Sequence, residues 1–119
     1  MFPTLKEHID NKNIVLTSNP TWFKIDDVDF IGTGGENIKD MMTYASIETE
    51  LDAMDLNLKL NHLAPTCPDT LRCVPFKEED PLILSTSPNV YFTCNASDYN
   101  TKFIEEVEGN RIKLITVPK

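Results

Sequence analysis

The stretch that decides the fold is WFKIDDVDFIGTGG, residues 22–35. Two runs within it, 22–25 and 28–32, are rich in the aromatic and β-branched residues that favour β-strands. Between them lies Asp26-Asp27, a pair whose side chains suit a tight turn. The stretch therefore predicts a β-hairpin that ends in a glycine-rich loop.

The loop Gly32-Thr33-Gly34-Gly35 predicts a handover from strand to helix, because glycine adopts the backbone conformations that such a turn requires. Asn37, with Asp40 three residues later, resembles a capping box at the start of that helix. Loops of this kind also bind phosphate, but the spacing is neither G-x-G-x-x-G nor a Walker A loop, and no lysine follows at the required offset. A tight turn is therefore favoured over a phosphate site.

A second helix is predicted over Ser46 to His62, where apolar residues recur at helical spacing and acidic residues crowd the first turns. Its apolar face consists of Ile47, Leu51, Met54 and Leu58. On the other side of the hairpin, the run NIVLT, residues 13–17, predicts a buried strand.

Prolines recur between residues 64 and 88, which predicts an extended loop with a short strand at 82–84. Residues 89–94 and 111–117 predict two further strands, joined by a polar stretch in which Gly109-Asn110 suits a hairpin turn. Together these elements predict an α/β or α+β fold, with a mixed sheet and flanking helices.

Composition narrows the possible functions. At 119 residues the chain is one domain or part of one, and its net charge of −8 disfavours binding to DNA through bulk electrostatics. No apolar run is long enough to cross a bilayer and no signal-peptide pattern begins the sequence, so we expect an intracellular protein without a membrane anchor. Three cysteines without a C-x-x-C pair predict reduced, mostly buried thiols.

Candidate catalytic groups are sparse. The two histidines, His8 and His62, each lack a second histidine or a carboxylate at metal-ligand spacing. No G-x-S-x-G elbow is present, and the run Glu78-Glu79-Asp80 is favoured as a solvated turn over an acid–base pair. We therefore predict no catalytic residue, no metal site and no cofactor in this chain.

Three stretches carry longer motifs. Residues 17–38 contain TSNP, IDDV and IGTGGENI, similar to the patterns T-N-P, I-D-G-V and G-T-S-G-Q-N-V. Residues 62–76, HLAPTCPDTLRCVPF, are similar to the signature H-[IL]-[AS]-P-T-A-P-D-T-L-x-C-Y-P-F. Residues 80–92 match D-P-F-I and P-H-V-Y-F, and 116–118 match T-V-P. In these motifs the chain resembles the B subunits of eukaryotic replicative DNA polymerases, most closely the delta type.

The departures from the pattern are few. Cys67 stands where the pattern has Ala, Val74 where it has Tyr, Cys94 where it has Gly, and Glu36 where it has Gln. The alpha and epsilon B subunits share the architecture and stay open as alternatives. The signature residues are also candidate partner contacts, although turn geometry explains them equally well: His62, Pro65, Thr66, Pro68, Asp69, Thr70 and Leu71.

The resemblance implies a calcineurin-like phosphoesterase domain that has lost its metal site. Active relatives end a strand with P-x-[IV]-[FY]-x-T-G-H-x-H; here 88–93 follow that pattern and 94–97 replace G-H-x-H. Asn95 and Ser97 then stand at the degenerate ligand positions, and Ser97 is a poor substitute for imidazole. Residues 1–119 would form the carboxy-terminal part of this domain, about the last third of a complete subunit.

The implied function is a non-catalytic scaffold of the DNA polymerase delta holoenzyme in the nucleus. Its expected partners are the carboxy-terminal domain of the catalytic subunit and a third subunit, with DNA contacted only weakly or indirectly. One alternative is a residual metal-dependent phosphodiesterase or nuclease. Another is a secreted glycoprotein domain, suggested only by the sequon Asn95-Ala96-Ser97.

Overall fold

A five-stranded mixed sheet with two helices on one face forms the body of the protein. The computed structural model describes residues 14–74, 78–105 and 109–119. The elements in chain order are β1 Thr21–Ile25, β2 Val28–Thr33, α1 Glu36–Tyr44, α2 Glu50–Lys59, β3 Val90–Ala96, β4 Asn100–Glu105 and β5 Arg111–Pro118. The predicted α/β class, with a mixed sheet and flanking helices, is confirmed.

The strands lie in the order β1-β2-β3-β5-β4. The three central strands β2, β3 and β5 are parallel, and β1 and β4 pair antiparallel at the two edges. The predicted hairpin of β1 and β2 is confirmed, and Asp26 takes a left-handed conformation at its turn, with φ 51°. Both helices belong to the crossover that leads from β2 to β3.

The hydrophobic core lies between the helices and one face of the sheet, which we call the inner face. Strand alternation and register place Ile31, Tyr91 and Leu114 side by side on this face. The buried cluster comprises Ile31, Ile38, Ala53, Met54, Leu58, Leu63, Leu84, Tyr91, Ile112 and Leu114. The predicted apolar face of the second helix is confirmed for Leu51, Met54 and Leu58, while Ile47 packs against the same core from the segment before the helix.

The opposite, outer face of the sheet is also apolar. The rings of Phe23 and Phe30 stack with centroids 5.1 Å apart, and the ring of Phe92 lies 6.2 Å from that of Phe23. Phe92 covers Gly32 so closely that a Cβ there would lie 2.2 Å from a ring carbon. Phe23 remains 38% exposed and Phe103, on the neighbouring part of this face, 62% exposed.

Several buried polar side chains lie in the core around Tyr91. The fully buried Asn57 donates its amide to the Tyr91 hydroxyl at 3.2 Å. Thr33 donates to Thr93 at 3.1 Å within the same layer. Burial raises the pKa of the Tyr91 phenol, because the phenolate would lose its hydration there.

Three predictions about secondary structure are wrong. Residues 14–17 of the predicted buried strand form no strand and are exposed, with Val15 79% exposed, while Asn13 lies outside the described residues. The second helix is shorter than predicted: Thr49 caps it, accepting a hydrogen bond from the Asp52 amide at 3.2 Å, and it ends at Lys59. Residues 82–84 form only an isolated bridge, in which Ile83 pairs with His62.

The capping box and the last hairpin also differ from expectation. Gly35, with φ 95°, is the N-cap of α1 without a side-chain cap, and Asn37 instead donates its amide to the Leu63 carbonyl at 2.6 Å. Strands β3 and β5 run parallel, so Gly109-Asn110 leads from β4, which was not predicted, into β5.

Replacing Tyr91 by Phe should destabilise the fold by about 1–3 kcal/mol, because the Asn57 amide would lose its partner at a fully buried position. Asn57 Oδ1 already has no partner among the described residues. Urea denaturation followed by Trp22 fluorescence measures the free energy of unfolding. The matched control is Tyr44→Phe, at a 65% exposed position. Adding Asn57→Leu to Tyr91→Phe should recover part of the loss, and equal midpoints for wild type and Tyr91→Phe would contradict this account.

Candidate functional site

The carboxyl ends of β2 and β3 meet at one edge of the sheet, the place where α/β sheets usually carry their sites. The glycine loop after β2 lies directly against the end of β3. A Cβ on Gly35 would lie 2.1 Å from the carbonyl oxygen of Cys94. Only glycine therefore fits at this position, both for space and for its positive φ.

Asn95 links the same two loops. It adopts φ 55°, a left-handed conformation that asparagine tolerates better than most residues. Its side-chain amide donates a 2.9 Å hydrogen bond to the carbonyl of Gly34. From the opposite side, Asn19 accepts a hydrogen bond from the Gly34 amide at 3.0 Å. The backbone amide and carbonyl of Gly34 are thus both bonded to asparagine side chains, which hold the glycine loop in place.

Ser97 is tied to the first turn of α2. Its backbone amide and its hydroxyl both donate to one carboxylate oxygen of Glu50, at 3.0 and 3.4 Å. Asn95 and Ser97 therefore both make contacts within the chain, which hold loops and a helix terminus together. Among residues 14–74, 78–105 and 109–119, no three His, Cys, Asp or Glu side chains are grouped so that they could hold a metal ion.

Of the two histidines, only His62 lies among the residues that the structure describes. His8 lies outside the described residues. His62 is half-buried, and its Nδ1 accepts a hydrogen bond from the Ala64 amide at 3.1 Å. That contact fixes the turn into the following segment, so His62 acts structurally here. In the run Glu78-Glu79-Asp80, which is exposed, Asp80 accepts from the Leu82 amide at 2.9 Å, as expected of a solvated turn.

We call residues 62–74 the signature loop. Its chain reverses in a turn in which the Thr70 amide bonds the Thr66 carbonyl at 3.2 Å, and the Thr70 hydroxyl donates to the Asp40 carboxylate at 2.5 Å. Of its predicted contact residues, Pro65, Pro68, Asp69 and Thr70 are exposed, and His62, Thr66 and Leu71 are half-buried. The loop thus presents a continuous exposed turn that is anchored to α1.

A cavity of about 460 Å³ separates the signature loop from the glycine loop. Its wall includes Thr33 and Asn37 from the sheet edge and α1, and Cys67, Cys73 and Val74 from the signature loop. Burial raises the pKa of the Cys67 thiol to about 11, and a hydrogen bond with the Cys73 thiol acts in the same direction. The prediction of mostly buried thiols is wrong for Cys73, which is exposed.

Sequence reasoning missed Asn19 and Glu50 as residues that position this site, and it placed Gly35 in the strand-to-helix turn without its contact to Cys94. A signal existed for Asn19, which lies in the TSNP motif, and for Gly35, which ends the glycine loop. Glu50 carried none beyond its place in an acidic helix start. Among the residues that the structure describes, no helix is both long enough and apolar enough to cross a membrane.

Comparison with known proteins places these features in a family. The family model for the B subunit of DNA polymerase alpha/epsilon matches residues 1–102. The chain is 41% identical over 102 residues to the DNA polymerase delta small subunit of Arabidopsis thaliana, and the match covers 86% of this chain and 23% of that protein. It is 39% identical over 101 residues to DNA polymerase delta subunit 2 of Drosophila melanogaster, covering 85% and 23%.

The DNA polymerase delta small subunit of Saccharomyces cerevisiae is 33% identical over 133 residues, covering 92% of this chain and 27% of that protein. The chain thus spans about a quarter of the length of the curated relatives that it matches. Since the family model covers most of its residues, the chain belongs to the family of DNA polymerase alpha/epsilon B subunits, where its similarity is to delta small subunits.

Proposed function

We propose that the chain is part of a non-catalytic accessory subunit of the DNA polymerase delta holoenzyme, acting in DNA replication and repair in the nucleus. The observation that carries this proposal is the identity of 33–41% to three proteins named as delta small subunits or subunit 2. The similarity also includes the signature loop, whose sequence has the delta pattern. Contact with DNA is weak or indirect, in keeping with a net charge of −8.

A scaffold needs surfaces that other chains or domains can cover. The signature loop offers the exposed Pro65, Pro68 and Asp69 on a turn that hydrogen bonds already hold in shape, so binding loses little conformational entropy. The outer face offers half-exposed aromatic rings. We assign the signature loop to contact with the catalytic subunit's carboxy-terminal domain, and the complete subunit connects this domain to a third subunit.

We propose further that the domain derives from a metal-binding phosphoesterase. Residues 1–119 form the carboxy-terminal part of a calcineurin-like phosphoesterase sandwich whose metal ligands have been replaced. Supporting this, Asn95 and Ser97 lie at the carboxyl edge of the parallel strands, where such a site belongs, and both bond to groups of the chain itself. Among the described residues no observation favours a residual nuclease, and the relatives reported above are named as delta subunits, which favours delta over an alpha or epsilon subtype.

Charge reversal at the exposed signature loop should weaken assembly. In the full-length subunit that contains this sequence, Asp69→Arg should lower retention of the co-expressed catalytic subunit about tenfold, as expected for one important interface residue. Affinity capture at low and moderate salt measures the retained fraction. The matched control is Asp27→Arg in the β1–β2 turn, at the opposite edge of the sheet. If Asp69→Arg retained the catalytic subunit as well as Asp27→Arg does, the signature loop would not be part of the interface. If the wild-type subunit retained none, the accessory role would be overturned.

The enzyme alternative has a direct test at Asn95. With Mn²⁺, the full-length subunit should hydrolyse neither single-stranded DNA nor a small phosphodiester above the background of a mock purification. Asn95→Ala should instead lower the free energy of unfolding by roughly 1–2 kcal/mol, through the lost hydrogen bond and the left-handed backbone. Asn95→Gly keeps that backbone and should lose less. Turnover that Asn95→Ala abolishes without unfolding the protein would establish the nuclease.

A further inference from the structure

Two of the three cysteines, Cys67 and Cys73, line the cavity between the signature loop and the glycine loop. Cys67 and Cys73 are six residues apart, and the turn between them, closed by the bond from the Thr70 amide to the Thr66 carbonyl, brings the chain back on itself. Both residues line the same cavity, and Cys73 lies near enough to Cys67 to contribute to the raised pKa of that thiol. The folded loop therefore brings Cys67 and Cys73 to the same cavity.

The two thiols differ in access. Cys73 is exposed and Cys67 is half-buried, and both line the cavity. Because Cys73 is the exposed thiol and Cys67 is half-buried, an oxidant in solution reaches Cys73 first. Cys94, the third thiol, is half-buried on β3, a strand that does not line this cavity.

We propose that Cys67 and Cys73 form an oxidative modification site, in which a hydroperoxide converts the pair into an intrachain disulfide. The peroxide transfers one oxygen to the Cys73 sulfur, giving a sulfenic acid and releasing water. The Cys67 sulfur then attacks the Cys73 sulfur; the S–S bond forms, the S–O bond breaks, and hydroxide leaves with the Cys67 proton as a second water. Each thiol loses one electron, and the peroxide takes up both.

The bond would tie the two ends of the exposed turn together. Residues 67–73 include Pro68, Asp69 and Thr70, the exposed part of the signature loop, so oxidation fixes the shape of that surface and the wall of the cavity. In a reducing compartment cellular thiols restore the free pair, which makes the modification reversible. The chemistry of the pair does not depend on the proposed function.

The test is limited oxidation, with hydrogen peroxide, of the full-length subunit that contains this sequence, followed by alkylation and peptide mapping of the peptides that carry Cys67, Cys73 and Cys94. Wild type should lose two hydrogens, about 2 Da, as a Cys67–Cys73 link, with Cys94 still alkylated. The link should form about tenfold faster in buffer than in strong denaturant at the same pH, because the fold holds the two sulfurs together. Thioredoxin or dithiothreitol should reverse it.

Two variants complete the design. Cys67→Ala, which introduces the residue of the family pattern, should leave Cys73 as a sulfenic acid that dimedone traps. Cys94→Ala should leave the link and its rate unchanged. Three thiols that stay alkylatable in wild type under conditions that oxidise Cys73 in Cys67→Ala would overturn the proposal. So would a link to Cys94, or equal rates of linking in buffer and in denaturant.

Discussion

The close packing of Gly35 against the carbonyl of Cys94 is the constraint on which the rest of the structure depends. No side chain fits there, since even a Cβ would lie 2.1 Å from the carbonyl oxygen. The contact joins the ends of β2 and β3, and α1 begins at the next residue, Glu36. The position of α1 over the sheet, and of the signature loop that Asp40 anchors, therefore follows from one glycine.

Much of the fold could be predicted because its signals are local. The β1–β2 hairpin depends on Asp26-Asp27 and on two adjacent runs, and the apolar face of α2 is read from its spacing alone. Strand β4 was missed since it lies at an edge with only Ile104 half-buried, so its sequence shows no alternation. Residues 14–17 have strand composition, but burial needs a neighbour, and the described part of the chain provides none.

The motifs of the candidate site could be predicted from the sequence, but their arrangement in space could not. The signature loop and the glycine loop are each recognisable as strings of residues, yet about thirty residues separate them, and only the crossover through α1 and α2 makes them share a cavity. Asn37 illustrates the same limit: its position suggests a cap, but tertiary packing directs its amide to the Leu63 carbonyl. Local capping preferences are overridden where a buried carbonyl needs a hydrogen-bond donor.

The apolar outer face of the sheet bears on which surface of the proposed scaffold is left for a separate partner. Parallel strands are normally covered on both faces, and here both helices pack on the inner face. The outer face is not built for water: Phe23, Phe30 and Phe92 cluster on it, and Lys113 lies 5.2 Å above the ring of Phe103. The matched relatives are about four times longer than the stretch they share with this chain. A protein of that length has material for a second layer, and a sheet with two apolar faces requires one. The outer face thus suits packing within the complete subunit, which leaves the exposed turn of the signature loop as the better surface for a separate partner.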